Sequence, residues 1–216
     1  MRSMTRVTAT RHRRWLPLAA LLPCAAAFAT DDHGASRYTI DPDHTYPSFE
    51  ASHMGISTWR GKFNRTTGAV VLDRAAGTGS VAVTVDMASI DFGLDALNEV
   101  ARGPEIFDAA KYPQASFNGR LEGFAAGVPT RLAGELTLHG VTRPLVLRVD
   151  AFKCIPHPVF KRELCGADAT GTFQRDAFGL DAGKDYGFSM DVDLRIQVEA
   201  LRDAAPVAAP QPQASP

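Results

Sequence analysis

The chain has 216 residues, 45% hydrophobic and 22% charged, a globular balance that excludes a disordered chain, a collagen and a multi-span membrane protein. Its formal net charge is -1, and the segment 1–29 carries Arg2, Arg6, Arg11, Arg13 and Arg14 without one acid, so the remainder is mildly acidic. Nucleic-acid affinity rests on Lys and Arg neutralising phosphates, and a chain without a basic tract is excluded from that class.

Residues 1–29 read as a secretory signal peptide. Arg13 and Arg14 precede the apolar run LPLAALLPCAAAFA, which ends on the small-x-small site Ala27-Phe28-Ala29. Cleavage near Ala29 is expected, with a mature chain beginning near Thr30. The competing transmembrane anchor needs about 20 apolar residues, and this run is shorter and broken by Pro17 and Pro23. Cys24 after Leu21-Leu22-Pro23 faintly resembles a lipoprotein site, and Arg13-Arg14 before Trp15-Leu16 hints at twin-arginine export. Both signals are weak. Residues 30–36 are expected to form a flexible arm.

From Arg37 onward apolar and polar residues alternate with period two, in short runs separated by Gly, Pro, Asp and Asn. The parity appears in Val81, Val83 and Val85, and is lost between Asp91 and Pro113, where Leu94, Leu97, Val100 and Ala101 recur at helical spacing. It returns in Phe117 and Leu121, in Leu132, Leu136 and Leu138, and in Leu145, Leu147 and Val149. Leu138-His139-Gly140-Val141 predicts a hairpin turn, and further turns are expected at Gly77 to Gly79 and Gly127 to Pro129. The final run places Phe188, Met190, Val192, Leu194, Ile196 and Val198 on one face against Ser189, Asp191, Asp193, Arg195, Gln197 and Glu199 on the other. One face is dry and the other wet. After Arg202 the Pro/Ala-rich tail, residues 203–216, has no periodicity and reads as a disordered end.

The fold class is therefore all-β: about eight antiparallel strands, with a short helical insertion, closed into a barrel because closure removes the exposed edges. Cleavage of the leader leaves Cys154 and Cys165, a close pair read first as a disulfide in an exported chain. Zinc held by the two thiols and His157 competes, although the spacing is not that of a zinc finger.

An eight-stranded barrel is either filled by side chains or holds one ligand. Phe49, Ala51, His53, Val83, Val85, Phe117, Leu121, Leu136, Leu147, Met190, Val192 and Leu194 are the candidate wall. Ala51, Gly119 and Gly134 sit on the apolar parity beside large residues, which implies interior gaps; strand glycines that relieve curvature are the alternative. A long apolar cavity suits a chain-like lipid, since each buried methylene contributes about 0.8 kcal/mol. His44, His53, Arg60 and Arg102 are the candidate head-group contacts, with Lys62 and Lys111 further cations near loops. No nucleophile elbow, phosphate loop, dinucleotide fingerprint or zinc helix occurs, so no catalytic residue is assigned. A metal shared by His44, His53 and His139 is the minor reading, and none is expected. Asp41, Asp43, Asp91 and Asp95 read as turn and helix-start residues.

The segment YTIDPDHTYPSFEASHMGISTWRGKF resembles the opening of the YceI-like family through Tyr38, Asp41, His44, Phe49, His53, Gly55, Ser57, Gly61 and Phe63. The likeness continues through Ser89-Ile90-Asp91, Phe107-Asp108, Tyr112-Pro113 and Ser116-Phe117. It runs on through Gly134 to Pro144, Phe178-Gly179-Leu180 and the final strand, covering most of residues 37–202. It implies an extended, eight-stranded lipocalin-like barrel whose channel holds a polyisoprenoid chain, in a protein of the bacterial periplasm without enzyme activity. The ligand it implies is an isoprenoid quinone, a prenyl phosphate or a fatty-acid-like amphiphile, and the acidic mature charge favours the neutral quinone. No cofactor is expected beyond that bound lipid. Docking to a membrane quinone redox protein is the alternative role, and a homodimer is compatible with either. The chain departs from the family pattern at Thr45-Tyr46-Pro47, where Pro47 cannot donate to a ladder, so the strand is expected to lie at an edge or to begin later.

Overall fold

The computed structural model describes residues 34–204. The segment expected to be a signal peptide, most of the expected N-terminal arm and the tail from residue 205 lie outside the described residues. The strands are β1 (Ser36–Ile40), β2 (Ser48–His53), β3 (Ser57–Phe63), β4 (Thr66–Asp73), β5 (Thr78–Asp86), β6 (Ile90–Asp91), β7 (Gln114–Glu122), β8 (Arg131–Leu138), β9 (Val141–Pro156), β10 (Glu163–Gln174) and β11 (Asp191–Arg202). One helix, α1 (Asp95–Arg102), interrupts them where the alternation fails.

Eight strands close an antiparallel ring in the order β1-β4-β5-β7-β8-β9-β10-β11, with Tyr38 opposite Arg202 and Ile40 opposite Ala200 sealing it. β11 has 12 residues and carries two partners in succession: β1 along Ala200–Arg202 and β2 along Asp193–Arg195. β2 in turn pairs with β3, and β3 with β6. The interruption between β1 and β2 falls at Asp41 to Pro47, where Asp41 accepts the Asp43 N–H in a turn. β2 begins at Ser48, directly after the proline, as a residue without an N–H requires. The wall is thereby extended past the closed ring by the β2-β3-β6 ribbon, with α1 beside it.

Local chemistry sets the corners. His139 and Gly140 both have positive φ, 51° and 75°, between the paired Leu138 and Val141, so the β8-β9 turn has the twist that suits a two-residue hairpin. Asp150 is an extra residue between Ala151, opposite Asp168, and Val149, opposite Ala169. This bulge bends the long β9-β10 hairpin around the barrel. Beyond it Cys154 and Cys165 face each other and form a disulfide. The side chain of His157, the third ligand of the zinc alternative, accepts instead from the N–H groups of Val159 and Phe160.

Alternation translates directly into burial. Along β11 Val192 and Ala200 are buried and Leu194, Ile196 and Val198 half-buried, while Asp193, Arg195 and Gln197 are exposed. The run starts later than its alternation suggests. Ser189 makes a local turn in which its Oγ accepts the Asp191 N–H, so residues 188–190 precede the strand.

Candidate functional site

The inner faces enclose an apolar cavity of about 540 Å³, inside the range of ligand pockets. Its walls come from every strand of the ring, and at one end from β2, β3, α1 and the 180–189 segment. Trp59 and Val100 belong to the lining and are 38% and 57% exposed, so the cavity opens to solvent at that end. An aromatic frame surrounds the opening. His53 stacks on Trp59 at 4.2 Å between ring centroids, Phe188 meets His53 edge-on at 4.6 Å, and Phe92 packs edge-on against Phe49 at 5.6 Å. At the other end the Tyr38 hydroxyl donates to Glu163, 2.7 Å away, and Arg74 donates to the same carboxylate. Burial, followed by that hydrogen bond, raises the Tyr38 pKa above the ordinary phenol value.

Eleven of the twelve candidate wall residues line this cavity: Phe49, Ala51, His53, Val83, Val85, Phe117, Leu121, Leu136, Leu147, Val192 and Leu194. Met190 does not. It lies outside β11, where its carbonyl accepts the Arg175 N–H, and alternation places a side chain only while the backbone is extended.

The glycines differ from expectation. A Cβ on Gly119 would come within 2.7 Å of the Phe117 ring, one on Gly61 within 2.6 Å of Phe49, and one on Gly171 within 2.7 Å of Leu147. Gly134 stands opposite Gly119, and a Cβ there would lie 2.2 Å from the Asn118 carbonyl oxygen. These positions are not gaps: some seat large side chains flat against the wall, and Gly134 allows a close backbone approach. The open volume lies further in, past the rings.

The charged candidates stand outside the lining. His44 Nδ1 is 2.8 Å from Asp41 Oδ2 on an exposed loop, and the hydrogen bond to Asp41 raises its pKa. Arg60 pairs with Glu50 at 2.8 Å. Arg102 donates to Glu99 at 2.6 Å from the last turn of α1, and its Nε is buried without a partner among the described residues. Lys62 and Lys111 lie over the rings of Tyr46 and Tyr112. His139 faces Tyr112, and its Nδ1 is 3.2 Å from the Phe178 carbonyl, so it belongs to no metal-holding group with His44 and His53 among the described residues. Asp91 accepts from Gly93 N–H and from Asn64, which together lower its pKa, and Asp95 opens α1.

Several lining residues escape a reading of alternation. Trp59, Phe92 and Leu97 enter from a ribbon and a helix rather than from the main ring. Thr45 and Thr66 bring hydroxyls to the wall; the Thr66 Oγ1 is buried and unpartnered among the described residues. Among the described residues Arg175 is the one arginine or lysine in the lining. Arg175 continues the parity of Ala169, Gly171 and Phe173, the dry face of β10, but it lies in the 3-10 turn after the strand, where parity no longer places a side chain, so a reading of the sequence misses it.

Relatives with the same sequence pattern are numerous. A UPF0312 protein of Pseudomonas aeruginosa is 29% identical over 189 residues, covering 86% of this chain and 97% of the relative. One from Enterobacter is 30% identical over 179 residues, covering 81% and 91%. Among solved structures, Burkholderia cenocepacia BcnA aligns with a TM-score of 0.62 at 23% identity, covering 74% of this chain and 98% of its own. A polyisoprenoid binding domain from Saccharophagus degradans, implicated in plant cell wall breakdown, aligns at 0.57 and 18% identity, covering 77% and 98%. The structural likeness shows the shared barrel. The family model of the YceI-like domain matches residues 38–200, and with the closed barrel and its apolar channel this chain belongs to the YceI-like family.

Proposed function

We propose that this protein is a periplasmic carrier that holds a long isoprenoid lipid, a quinone or a prenyl phosphate, in the barrel channel. The observation that carries the reading is the channel itself: about 540 Å³, walled by aliphatic and aromatic side chains and open at one end. Water gains few hydrogen bonds from such a wall, whereas every methylene or isoprenoid carbon moved into it leaves water at a gain of about 0.8 kcal/mol per CH₂. The Saccharophagus neighbour, described as polyisoprenoid-binding, supports the choice of an isoprenoid over an unbranched chain. The reading is one of binding, and the mainly aliphatic and aromatic lining among the described residues supports it. The export signal in residues 1–29 supports the periplasm.

Solvent extraction of protein purified from its native host, followed by mass spectrometry, is expected to recover a polyprenyl species. Repeated recovery of none, together with failure of the delipidated protein to take up added quinone or prenyl phosphate, counts against carriage. A stable membrane partner whose capture is indifferent to channel substitutions would favour the docking role instead.

A further inference from the structure

Arg175 follows the dry face of β10 and ends at the wall of the channel, where the chain leaves the strand for the 3-10 turn Arg175–Phe178. Its guanidinium holds three backbone carbonyls: Nε donates to Ser189 at 3.0 Å, Nη1 to Leu180 at 2.7 Å and Nη2 to Ala182 at 2.8 Å. A guanidinium has five N–H groups. Two of them therefore have no partner among the described residues, and no carboxylate lies within salt-bridge distance. Asp176, next in sequence, is engaged by Lys184 at 2.8 Å. Burial pulls the Arg175 pKa below the ordinary arginine value, against the opposing pull of the Asp176 and Asp181 carboxylates, neither of which is within salt-bridge distance of it.

Arg175 belongs to the mouth of the channel. The Ser189 carbonyl that accepts its Nε belongs to a residue whose own N–H donates to Ser52 at 3.3 Å. The neighbours of these two residues, Phe188 and His53, are in edge-on ring contact. His53 makes ring contacts only; neither of its nitrogens has a hydrogen-bond partner among the described residues. The remaining polar groups here are occupied: Ser52 Oγ accepts Gly55 N–H, and Ser189 Oγ accepts Asp191 N–H. What remains is a partly desolvated cation with spare donors, and an imidazole beside an aromatic frame.

The geometry points to Arg175, with His53, as the anchor for an anionic phosphate head group on the bound lipid. A phosphate oxygen accepts from the spare N–H groups of the fork, a charge-assisted pairing stronger than a neutral carbonyl or hydroxyl offers. The overall acidity of the chain favours a neutral head group, but the channel lining holds the Arg175 cation and no carboxylate among the described residues. The assignment rests on the carrier reading and narrows its head group.

The test compares delipidated protein with geranylgeranyl phosphate, geranylgeraniol and inorganic phosphate by calorimetry. The phosphate ester is expected to bind about tenfold or more tightly than the alcohol, the difference expected of hydrogen bonds to a charged group. Arg175→Gln should bring the ratio of the two affinities to within about threefold, the scale of a neutral hydrogen bond. Equal binding of ester and alcohol by the unmodified protein overturns the anchor and leaves carriage intact. Binding of neither defeats carriage itself. Inorganic phosphate bound as tightly as the ester overturns the lipid source of the anion. Arg175 also staples residues 180–189, so the unmodified protein supplies a second readout: the Arg175 side-chain nitrogen resonances should shift with the ester and stay with the alcohol. No shift with the ester overturns the assignment.

Discussion

At the scale of single residues the channel is shaped by what each wall position can satisfy. Phe117 and Phe49 lie against Gly119 and Gly61 because any Cβ would strike their rings, so large side chains coexist with open volume. Thr66 is 1% exposed and its hydroxyl has no partner among the described residues, which costs about 1–3 kcal/mol in desolvation. Thr66→Val replaces that hydroxyl with a methyl of similar shape, and is expected to raise the unfolding free energy of the ligand-free protein by about 1 kcal/mol, read from the denaturant midpoint. A lower midpoint would mean that the hydroxyl has a partner in solution. At the surface, the hydrogen bond that His44 donates to Asp41 raises the His44 pKa from its ordinary value of 6.5. The folded state therefore favours the protonated imidazole, and this contribution is complete below the unfolded pKa and lost as pH rises through the folded one. An NMR titration should place the His44 midpoint above 6.5, and Asp41→Asn should lower it; an unmoved midpoint removes the pairing.

At the scale of elements, the long β9-β10 hairpin depends on two devices near its outer end. The Asp150 bulge bends it; Thr170, followed by Arg148, donates to that carboxylate and lowers its pKa. The Cys154–Cys165 disulfide then closes the loop that contains Pro156 and Pro158. Closing a loop of this length stabilises by about 3 kcal/mol in the chain-entropy account. Cys154→Ala with Cys165→Ala is expected to lower the melting temperature by about 6–12 °C for a domain of this size. A change under about 2 °C would show that strand pairing alone holds the hairpin, since 1 kcal/mol corresponds to about 2–4 °C. The pairing of these two cysteines was legible from their close spacing, read together with the export signal expected of residues 1–29. The register was not, because alternation does not say which strands lie side by side.

At the scale of the molecule, core and binding site are one structure. Val81, Val83, Val85, Leu121 and Leu136 remain half-buried on inner faces because they border open volume rather than each other. Such a barrel carries apolar surface that a ligand would cover, so occupancy and stability are coupled. A prenyl ligand at about one hundred times its Kd should add about 2.7 kcal/mol, which raises the melting temperature by about 5–10 °C in a domain this large. Calorimetric scans with and without geranylgeraniol check this. An unchanged transition at saturating ligand would show that the channel stays empty. The opening itself is a property of the whole fold: Trp59, Phe92, Val100, Arg175 and Phe188 come from four separate stretches of chain.

The sequence by itself determined the all-β class, the interruption by one helix, the His139-Gly140 turn and eleven wall residues, because period-two alternation and turn chemistry act over a few neighbouring residues. It also carried the family likeness in several ordered blocks. Only the tertiary structure decided that Met190 leaves the wall, that Gly119 and Gly61 seat aromatic rings, and that His44, Arg60 and Arg102 stay outside while Arg175 reaches the channel. Each of those outcomes depends on a partner distant in sequence or on a carbonyl in a loop. A side chain's surroundings, unlike its parity, exist only once the barrel has closed.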